Sequence, residues 1–218
     1  MGVQTAKELA HSAQRLYGEE AGLLARLQEF RPYICPFEEL IELVPPGASV
    51  LDVGCGAGLF LGLLAQSRRI HQGLGFDSSS AAVTLGQRMT RHLPADVRIE
   101  IKYVDATGAW PARTFDVVSL IDVMHHVPPD AWSTVLANAA RCVNVGGIVL
   151  YKDMAERPRW RATCNQLHDL VLARQWIHHV PDGVVEEAMR AAGFVEVARG
   201  AASRYWYAHV WQAFRRLN

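Results

Sequence analysis

The stretch VLDVGCGAGLF, residues 50–60, decides the fold of this chain. An apolar run reaches the acid Asp52, and glycine then stands on alternate positions, at Gly54, Gly56 and Gly58. Glycine has no Cβ, so three glycines directly after a buried strand permit unusual backbone angles and the close approach of a ligand. The helix that follows would direct unpaired N–H groups to the same point. The stretch therefore predicts a strand, a tight ligand-binding turn and a helix.

The spacing of the glycines narrows the class of ligand. A dinucleotide fingerprint has the form GxGxxG, and its third glycine would stand at position 59, which is Leu59 here. The pattern in this chain is GxGxG instead. The turn is therefore not expected to hold a dinucleotide, although it keeps the features of a strand-to-helix ligand site.

Short apolar runs alternate with helical segments on either side of this stretch. Several runs are apolar on both faces, which is typical of parallel strands covered by helices on two sides. Alternation predicts right-handed crossovers, and a tight join around residues 200–203 makes the last two strands antiparallel. We expect an α/β fold, a doubly wound, mostly parallel seven-stranded sheet with helices on both faces and an antiparallel closing strand. The predicted strands are residues 49–53, 73–76, 97–103, 115–121, 147–152, 194–199 and 205–214, and the helices between them are residues 57–67, 79–91, 129–142 and 184–192.

The N-terminal region precedes this alternation. Residues 4–30 place apolar groups at helical spacing, and Pro32 and Pro36 are expected to break that helix. A short second helix should follow and end at the Pro-Pro-Gly of residues 45–47. We therefore expect a helical cap over residues 1–47.

A second region interrupts the alternation near the C-terminus. Residues 154–182 have no strand pattern but contain a predicted helix near residues 160–176. We interpret this segment as a helical insertion that lies over the top of the sheet, within a domain that spans residues 48–218.

Composition and charge limit the classes of partner. Lys plus Arg and Asp plus Glu both number 22 in 218 residues, so the usual electrostatic argument for nucleic acid is missing. The four cysteines include no CxxC pair and predict free thiols in a reducing compartment. No apolar run approaches the ~20 residues that span a bilayer, and the N-terminus has no signal-peptide pattern. We expect a cytoplasmic protein without a membrane partner.

Five elements in order resemble the class I, Rossmann-like S-adenosylmethionine-dependent methyltransferases. The GxGxG turn matches the family's first motif, and FDVVSLIDVMHHV and VNVGGIVLYKD match its fourth strand and its fifth strand with the preceding turn. Asp77 in GLGFDSS and Asp105 in KYVDAT stand where the family places acids after its second and third strands. The match covers about residues 48–153. The resemblance implies a Rossmann-like S-adenosylmethionine-binding domain over residues 48–218.

The resemblance also implies where S-adenosyl-L-methionine would bind and S-adenosyl-L-homocysteine would form. The glycine turn would surround the methionine half, Asp77 with Ser78 the ribose, and Asp105 with Ala106 the adenine. The loop near Ile121 and Asp122 would offer a backbone carbonyl to the amino group. Asp77 is also expected to cap the helix that follows it. The cofactor-binding residues implied in this way are Asp52, Gly54, Gly56, Gly58, Asp77, Ser78, Asp105, Ala106 and Ile121.

The N-terminal segment often folds over the methyl donor in this family. Arg31 or Tyr33 could then reach the donor carboxylate, and a packing role for Tyr33 is equally compatible with the sequence. The resemblance alone does not separate these two roles.

Histidines are the candidate catalytic residues. A hydroxyl acceptor must lose a proton near neutral pH, which suits the pKa of histidine. His125 and His126 follow the fourth predicted strand, and His168 lies on the insertion. We choose His126 as the base, with His125 next, because His126 matches a family position. Adjacent histidines are poor chelators and no acid cluster accompanies them, so we expect no metal.

Four function hypotheses remain open at this point. The first is methylation of a small-molecule hydroxyl, amine or carboxylate. The second is a cyclase or lyase that uses the same methyl donor and releases methylthioadenosine, because the fold and the donor site would be the same. An RNA or protein methyltransferase and a non-catalytic regulator that binds the donor are the others. Neither the acceptor nor the oligomeric state can be derived from the sequence.

Overall fold

The computed structural model describes residues 4–154, 178–205 and 207–218. The helix predicted near residues 160–176 lies outside the described residues, as do His168 and most of the proposed insertion. None of the helices in the described part of the chain has the length and apolar character needed to cross a membrane.

In the described residues, seven strands form a single sheet in the order β3-β2-β1-β4-β5-β7-β6. The first five are parallel, and β7 is antiparallel to both of its neighbours. The predicted α/β architecture with an antiparallel finish is therefore confirmed. The strands are β1 (Ala48–Val53), β2 (Ile70–Asp77), β3 (Arg98–Tyr103), β4 (Phe115–Ile121), β5 (Val143–Met154), β6 (Phe194–Arg204) and β7 (Tyr207–Arg216).

Helices cover both faces of the sheet and bury two apolar layers. The first layer joins β1 to the N-terminal helices and includes Leu9, Leu40 and Val50. The second packs Val118 and Leu136 between the sheet and the C-terminal helices. The helices are α1 (Ala6–Tyr17), α2 (Leu23–Ile34), α3 (Phe37–Glu42), α4 (Leu59–Gln66), α5 (Ser80–Met89), α6 (Trp132–Arg141) and α7 (Val184–Ala191), with single 3-10 turns at Thr90–His92, Met124–His126 and Pro129–Ala131.

The order of the strands fixes where a ligand can enter. The last residue of β1, Val53, lies opposite Phe76 of β2 on one side and Leu120 of β4 on the other. The chain leaves β1 toward β2 and β3, then crosses back to β4 and β5, so the topology switches direction between β1 and β4. Ligands of open α/β sheets bind beyond the carboxyl ends of the strands at such a point. The glycine turn follows β1 directly and therefore lies at this crevice.

The N-terminal cap differs from the predicted single helix over residues 4–30. Helix α1 ends at Tyr17, and α2 begins after Gly22, whose φ of 110° lies outside the helical range. Pro32 was expected to break this helix, yet it is buried within the last turn of α2. A proline so near the C-terminal end of a helix removes only one of the last backbone hydrogen bonds, so packing can override it.

The closing hairpin is longer than predicted. Its turn was expected around residues 200–203, but these residues belong to β6, and the ladder continues until Arg204 pairs with Tyr207. Gly200 lies opposite Trp211, and a Cβ at Gly200 would collide with the indole ring. This glycine therefore makes room for a side chain, and the turn falls at residue 205, where Tyr205 has a φ of 55°.

Candidate active site

The three glycines after β1 all have left-handed backbone angles, with φ between 56° and 79°. Their surroundings differ. A Cβ at Gly54 would collide with Val123 in the loop after β4, and one at Gly58 would crowd Met89 and Ile101. A Cβ at Gly56 would meet nothing within 4 Å. Gly54 and Gly58 therefore permit close packing of the turn, whereas the backbone of Gly56 faces open space where a ligand can approach.

Asp52 lies beneath this turn and is almost fully buried, with 3% of its surface exposed. The hydroxyl of Ser119 on the neighbouring strand β4 donates to its Oδ1 at 2.6 Å. Burial raises the pKa of Asp52 to about 7, and the hydrogen bond from Ser119 and the charge of Arg31 oppose this effect. Asp52 is therefore a carboxyl group whose charge depends on its partners near neutral pH.

Asp77 joins the glycine turn to the end of β2. Its Oδ2 accepts from the backbone N–H of Gly56 at 2.8 Å, and its Oδ1 accepts from the N–H of Ser79 at 2.7 Å. The expected capping role is wrong, because the N-cap of α5 is Ser79, whose hydroxyl accepts from the N–H of Ala82. Asp77 instead fixes the glycine turn, and its neighbour Ser78 is exposed at the same edge.

Asp105 and Ala106 lie beyond the end of β3. Asp105 is exposed, and its Oδ1 accepts from both the N–H and the hydroxyl of Thr107, which lower its pKa. The carbonyl of Ala106 accepts from the indole N–H of Trp110 at 2.7 Å, and this indole packs edge-on against Phe76. The loop is therefore ordered by its own contacts. Because β3 pairs with β2, the loop lies next to the end of β2.

The loop after β4 carries a buried network of charges. Ile121 ends the strand and is buried, and Asp122 follows with a φ of 56°, which is unusual for a residue with a side chain. Lys152 of β5, fully buried, donates through Nζ to Asp122 Oδ1 at 2.5 Å, and Arg31 donates to Oδ2 at 3.1 Å. Although burial alone would raise it, these two cations hold the pKa of Asp122 well below its usual range.

Arg31 lies on α2 and extends from the N-terminal cap to the sheet edge. Besides its contact with Asp122, its guanidinium lies 5.8 Å from the ring centre of Phe37. Its positive charge acts to lower the pKa of Asp52. Tyr33, the other residue considered for the donor carboxylate, packs against Phe30 with ring centres 5.7 Å apart. Arg31 is therefore the member of this pair that lies near the residues after β1 and β4.

His125 and His126 differ sharply in their surroundings. His125 is 4% exposed, and its Nδ1 lies 2.5 Å from Oδ1 of Asp153, near the carboxyl end of β5. The backbone N–H of Met154 donates to the same Oδ1 at 2.8 Å. His126 is exposed at the surface, with its ring centre 4.2 Å from that of His125. Although the residue is exposed, neighbouring groups displace water from around its ring, and this loss of water together with the neighbouring His125 lowers the pKa of His126 to about 4.

The expectation that no acid cluster accompanies the histidines is wrong. Ligand atoms of Asp122, His125 and Asp153 lie within 4.8 Å of one another. Each oxygen of Asp122 already accepts a hydrogen bond from a cation, and Nδ1 of His125 lies against Oδ1 of Asp153, so all three groups have protein partners. Asp153 and Lys152 were not singled out as site residues. The acid-and-base pattern at the ends of β4 and β5, two adjacent parallel strands, is the signal that could have indicated them.

Comparisons with known proteins identify the family and the fold of this chain. A family model described as "Methyltransferase domain" matches residues 25–198. The chain is 29% identical over 164 residues to the 2-methyl-6-phytyl-1,4-hydroquinone methyltransferase of Synechocystis, covering 72% of this chain and 49% of that protein. It is also 30% identical over 115 residues to a ubiquinone biosynthesis O-methyltransferase of Pseudomonas fluorescens, covering 52% of this chain and 47% of that protein. The chain thus spans about half the length of the curated relatives it matches.

Solved structures show the same fold. The magnesium protoporphyrin IX methyltransferase of Synechocystis with bound S-adenosylhomocysteine has a TM-score of 0.68 and 17% identity, covering 94% of this chain and 93% of that one. An O-methyltransferase family protein from Burkholderia thailandensis has a TM-score of 0.66 and 23% identity, covering 88% of this chain and 57% of that one.

The chain belongs to the methyltransferase-domain family, because the family model matches well over half of its length. The resemblance to the class I S-adenosylmethionine-dependent methyltransferases, drawn from the order of the motifs, is thereby confirmed. The methyl donor of that class is S-adenosyl-L-methionine.

Proposed function

We propose that this protein transfers a methyl group from S-adenosyl-L-methionine to a hydroxyl group of a small molecule. The observation that carries the proposal is the juxtaposition of two features at one sheet edge. A glycine turn opens at Gly56 beside Asp77, and a buried His125–Asp153 pair lies at the carboxyl ends of the neighbouring strands β4 and β5. The first feature suits the methyl donor, and the second suits removal of a proton from the acceptor.

The turn and the strand ends would hold the methyl donor. Its methionine half would lie against Gly54, Gly56 and Gly58 above Asp52, with the carbonyl of Ile121 available to the amino group. Arg31 has five N–H donors, and its Nη2 donates to Asp122. The remaining N–H groups could bind the carboxylate of the methyl donor. The oxygens of Asp77 each accept one N–H and retain further lone pairs for ribose hydroxyls, with Ser78 beside them. Asp105 and Ala106 would flank the adenine.

Methyl transfer requires little covalent chemistry from the protein. The methyl donor supplies an activated methyl group, and the acceptor oxygen displaces its sulfur in line. The protein must hold the oxygen close to the methyl carbon and aligned with the breaking bond. For a hydroxyl acceptor it must also take the proton as the oxygen attacks.

The contact of His125 with Asp153 supports the choice of His125 as the base. A carboxylate only accepts, so the contact with Asp153 places the His125 proton on Nδ1 and leaves the lone pair on Nε2. Asp153 would also stabilise the imidazolium that forms when His125 takes a proton. The pKa of His126, the first choice from the sequence, is lowered to about 4, so His126 is a weaker base than an ordinary histidine. We therefore propose His125 as the catalytic base, with His126 beside it.

A small-molecule acceptor is supported by charge and by the relatives. The chain has as many acidic as basic residues, which gives no general attraction to nucleic acid. Two relatives are named for methylation in quinone chemistry, a hydroquinone methyltransferase and a ubiquinone biosynthesis enzyme. Free, buried thiols at Cys35, Cys55 and Cys142 suit a reducing compartment, and we place the reaction in the cytoplasm.

Incubation of the pure protein with the methyl donor tests the proposal. With a panel of hydroxyl, amine and carboxylate acceptors, S-adenosylhomocysteine should accumulate only when a hydroxyl acceptor is present. Methylthioadenosine formed from the donor without any acceptor would contradict the proposal and support a cyclase or lyase. Turnover restricted to amine or carboxylate acceptors would retain methyl transfer but contradict the choice of a hydroxyl.

A further inference from the structure

The N-terminal helices contact the glycine turn through one buried hydroxyl group. Tyr17, the last residue of α1, is fully buried, and its hydroxyl donates to the carbonyl of Ala57 at 2.8 Å. Ala57 lies between Gly56 and Gly58 in the turn. Burial raises the pKa of Tyr17 well above its usual value, so the hydroxyl keeps its proton and remains the donor. A residue 40 positions earlier in the chain therefore holds the backbone of the turn.

Close packing of α1 against α4 brings Tyr17 to this point. A Cβ at Gly62 of α4 would lie 2.8 Å from Cδ1 of Leu16, so the missing side chain lets the end of α1 approach α4. Both Leu16 and Tyr17 belong to the buried apolar layer on this face of the sheet. Because α4 begins directly after the turn, at Leu59, the core holds the tyrosine ring next to Ala57.

Two side chains from different elements hold the turn. Oδ2 of Asp77 accepts from the N–H of Gly56, and the hydroxyl of Tyr17 donates to the carbonyl of Ala57. The peptide group between these two contacts joins Gly56 to Ala57, and it makes no backbone hydrogen bond within the part of the chain that the structure describes. It lies beside the open space at Gly56. The peptide group that a ligand can approach is therefore fixed from both sides.

Loss of the Tyr17 hydroxyl would leave the Ala57 carbonyl without a donor. Ala57 is 1% exposed, so water does not reach this carbonyl in the folded turn. A buried carbonyl without a partner is unfavourable, and rotation of the peptide group toward water would relieve it. Ala57 is bonded directly to Gly56 and Gly58, so such a rotation would move the backbone that should meet the ligand.

We infer that Tyr17 is a positioning residue for the methyl donor, because its hydroxyl sets the glycine turn in the form that holds the methionine half of S-adenosyl-L-methionine. The hydroxyl acts through Ala57 rather than through contact with the donor. The inference rests on the proposed function, since it takes the turn as the place where the donor binds. A turn that the protein has already ordered loses less conformational freedom on binding, and this raises the affinity. Helix α1 is then a part of the donor site.

The variant Tyr17→Phe tests the inference, because it removes one oxygen and keeps the ring in the core. The Kd for S-adenosylhomocysteine, measured by calorimetry, should rise about 3–10-fold, which corresponds to one net hydrogen bond. Methylthioadenosine has the adenosine but lacks the amino-acid group that the turn would hold. Its Kd should therefore change less than about twofold. Equal losses for the two ligands would overturn the inference, because they would show a general effect on the site.

Ser67→Ala is the matched control. Ser67 is buried at the other end of α4, and its hydroxyl donates to the carbonyls of Leu63 and Leu64 at 2.9 and 3.1 Å. Both variants remove a buried hydroxyl that donates to backbone carbonyls beside the same helix, so both should lower the Tm. Only Tyr17→Phe should weaken binding of S-adenosylhomocysteine. Equal losses of affinity in the two variants would mean that lowered stability alone is measured, and this would overturn the inference.

Amide hydrogen exchange of the unliganded protein examines the turn directly. The N–H of Gly58 donates to the carbonyl of Cys55 at 2.9 Å within the turn. It should exchange about 3–10-fold faster in Tyr17→Phe, because one hydrogen bond fewer opposes local opening, and at the wild-type rate in Ser67→Ala. An unchanged rate at Gly58, or an unchanged affinity for S-adenosylhomocysteine, in Tyr17→Phe would overturn the inference.

These measurements need no acceptor, so they separate the inference from the proposed function. If Tyr17→Phe behaves as expected and no hydroxyl compound is methylated by the wild type, the inference stands and the proposed function fails. If the wild type methylates hydroxyl compounds and Tyr17→Phe keeps its affinity, the inference alone is overturned. Wild-type protein that binds neither S-adenosylhomocysteine nor methylthioadenosine would overturn both.

Discussion

The two halves of the sheet edge are built in different ways. Beyond β1 and β2 the site is made of backbone, with three glycines at positive φ and a turn fixed by Asp77 through the N–H of Gly56. At the carboxyl ends of β4 and β5 it is made of buried side-chain charges, where Asp122 is bound by Lys152 and Arg31, and His125 by Asp153. The glycine half presents backbone polar atoms to a ligand. In the charged half, each buried charge is stabilised by its partner of opposite charge or by a hydrogen bond to it.

This difference separates two tasks of the proposed enzyme. Recognition of an invariant methyl donor requires a backbone shape, and glycine supplies shapes that other residues cannot adopt. Removal of a proton requires a group with a set tautomer and charge, and burial beside a carboxylate supplies that. Substitutions in the two halves should therefore have different effects. Those in the glycine half should lower the affinity for the methyl donor, and those in the charged half should lower turnover or stability.

The largest effect is expected at the base. His125→Asn should lower kcat by about 10²–10⁴-fold, the range for loss of a general base, and leave the affinity for S-adenosylhomocysteine unchanged. His126→Ala, at the adjacent exposed position, should change kcat only a few-fold. Steady-state kinetics with a hydroxyl acceptor and calorimetry of the product measure both. The reverse order of the two variants would restore His126 as the base.

A pH-dependent stability effect is expected at Asp52, where the two halves meet. Its pKa is raised from 3.8 to about 7 on folding, so the folded state holds a proton that the unfolded state has lost between these values. The contribution of Asp52 to the free energy of unfolding therefore decreases as pH rises through that window. Asp52→Asn should gain stability over the wild type from pH 4 to pH 7, by at most about 4 kcal/mol. Urea unfolding at several pH values measures it, and a pH-independent difference would show that Asp52 folds as a charged group.

A slightly smaller effect is expected at the glycine turn. Gly56→Val places a branched side chain at a φ of 56°, where the ligand should meet the backbone, and should weaken S-adenosylhomocysteine binding by about 100-fold or more. Gly146→Val is the matched control, since Gly146 also has a positive φ with open space around its Cβ position but lies on β5 away from this edge. The control should share the backbone strain and keep its affinity. Equal losses in both variants would mean that strain alone is measured.

The smallest effect is expected at Asp77. Asp77→Ala should weaken binding of the methyl donor by about 1.5–3 kcal/mol, the range for hydrogen bonds to a charged group. Because Asp77 also holds the N–H of Gly56, a methionine fragment that lacks the ribose should lose part of its affinity too. Asp77→Asn keeps one acceptor oxygen and should lose less. If the fragment were insensitive to Asp77→Ala, the bond to Gly56 would have no role in shaping the turn.

The glycine half could be predicted from the sequence, and the charged half could not. Gly54, Gly56 and Gly58 are required by local backbone angles, so their spacing alone indicates the turn. The contacts of Asp122 with Lys152 and of His125 with Asp153 join residues about 30 positions apart. They depend on which strands are neighbours, and sequence spacing does not show this. Gly200 was misread for a similar reason, because a glycine that accommodates Trp211 has the same sequence pattern as a glycine in a turn.

The amide NMR spectrum during titration with S-adenosylhomocysteine tests the central claim most directly. The account predicts that the signals of Gly56, Ser78 and Ala106 shift in a saturable way, since these residues line the proposed donor site. The signals of Gly146 and Gly193, which also have positive φ but lie away from this edge, should stay in place. Saturation of the protein with unmoved Gly56, Ser78 and Ala106 signals, or shifts confined to other regions, would contradict the placement of the methyl donor.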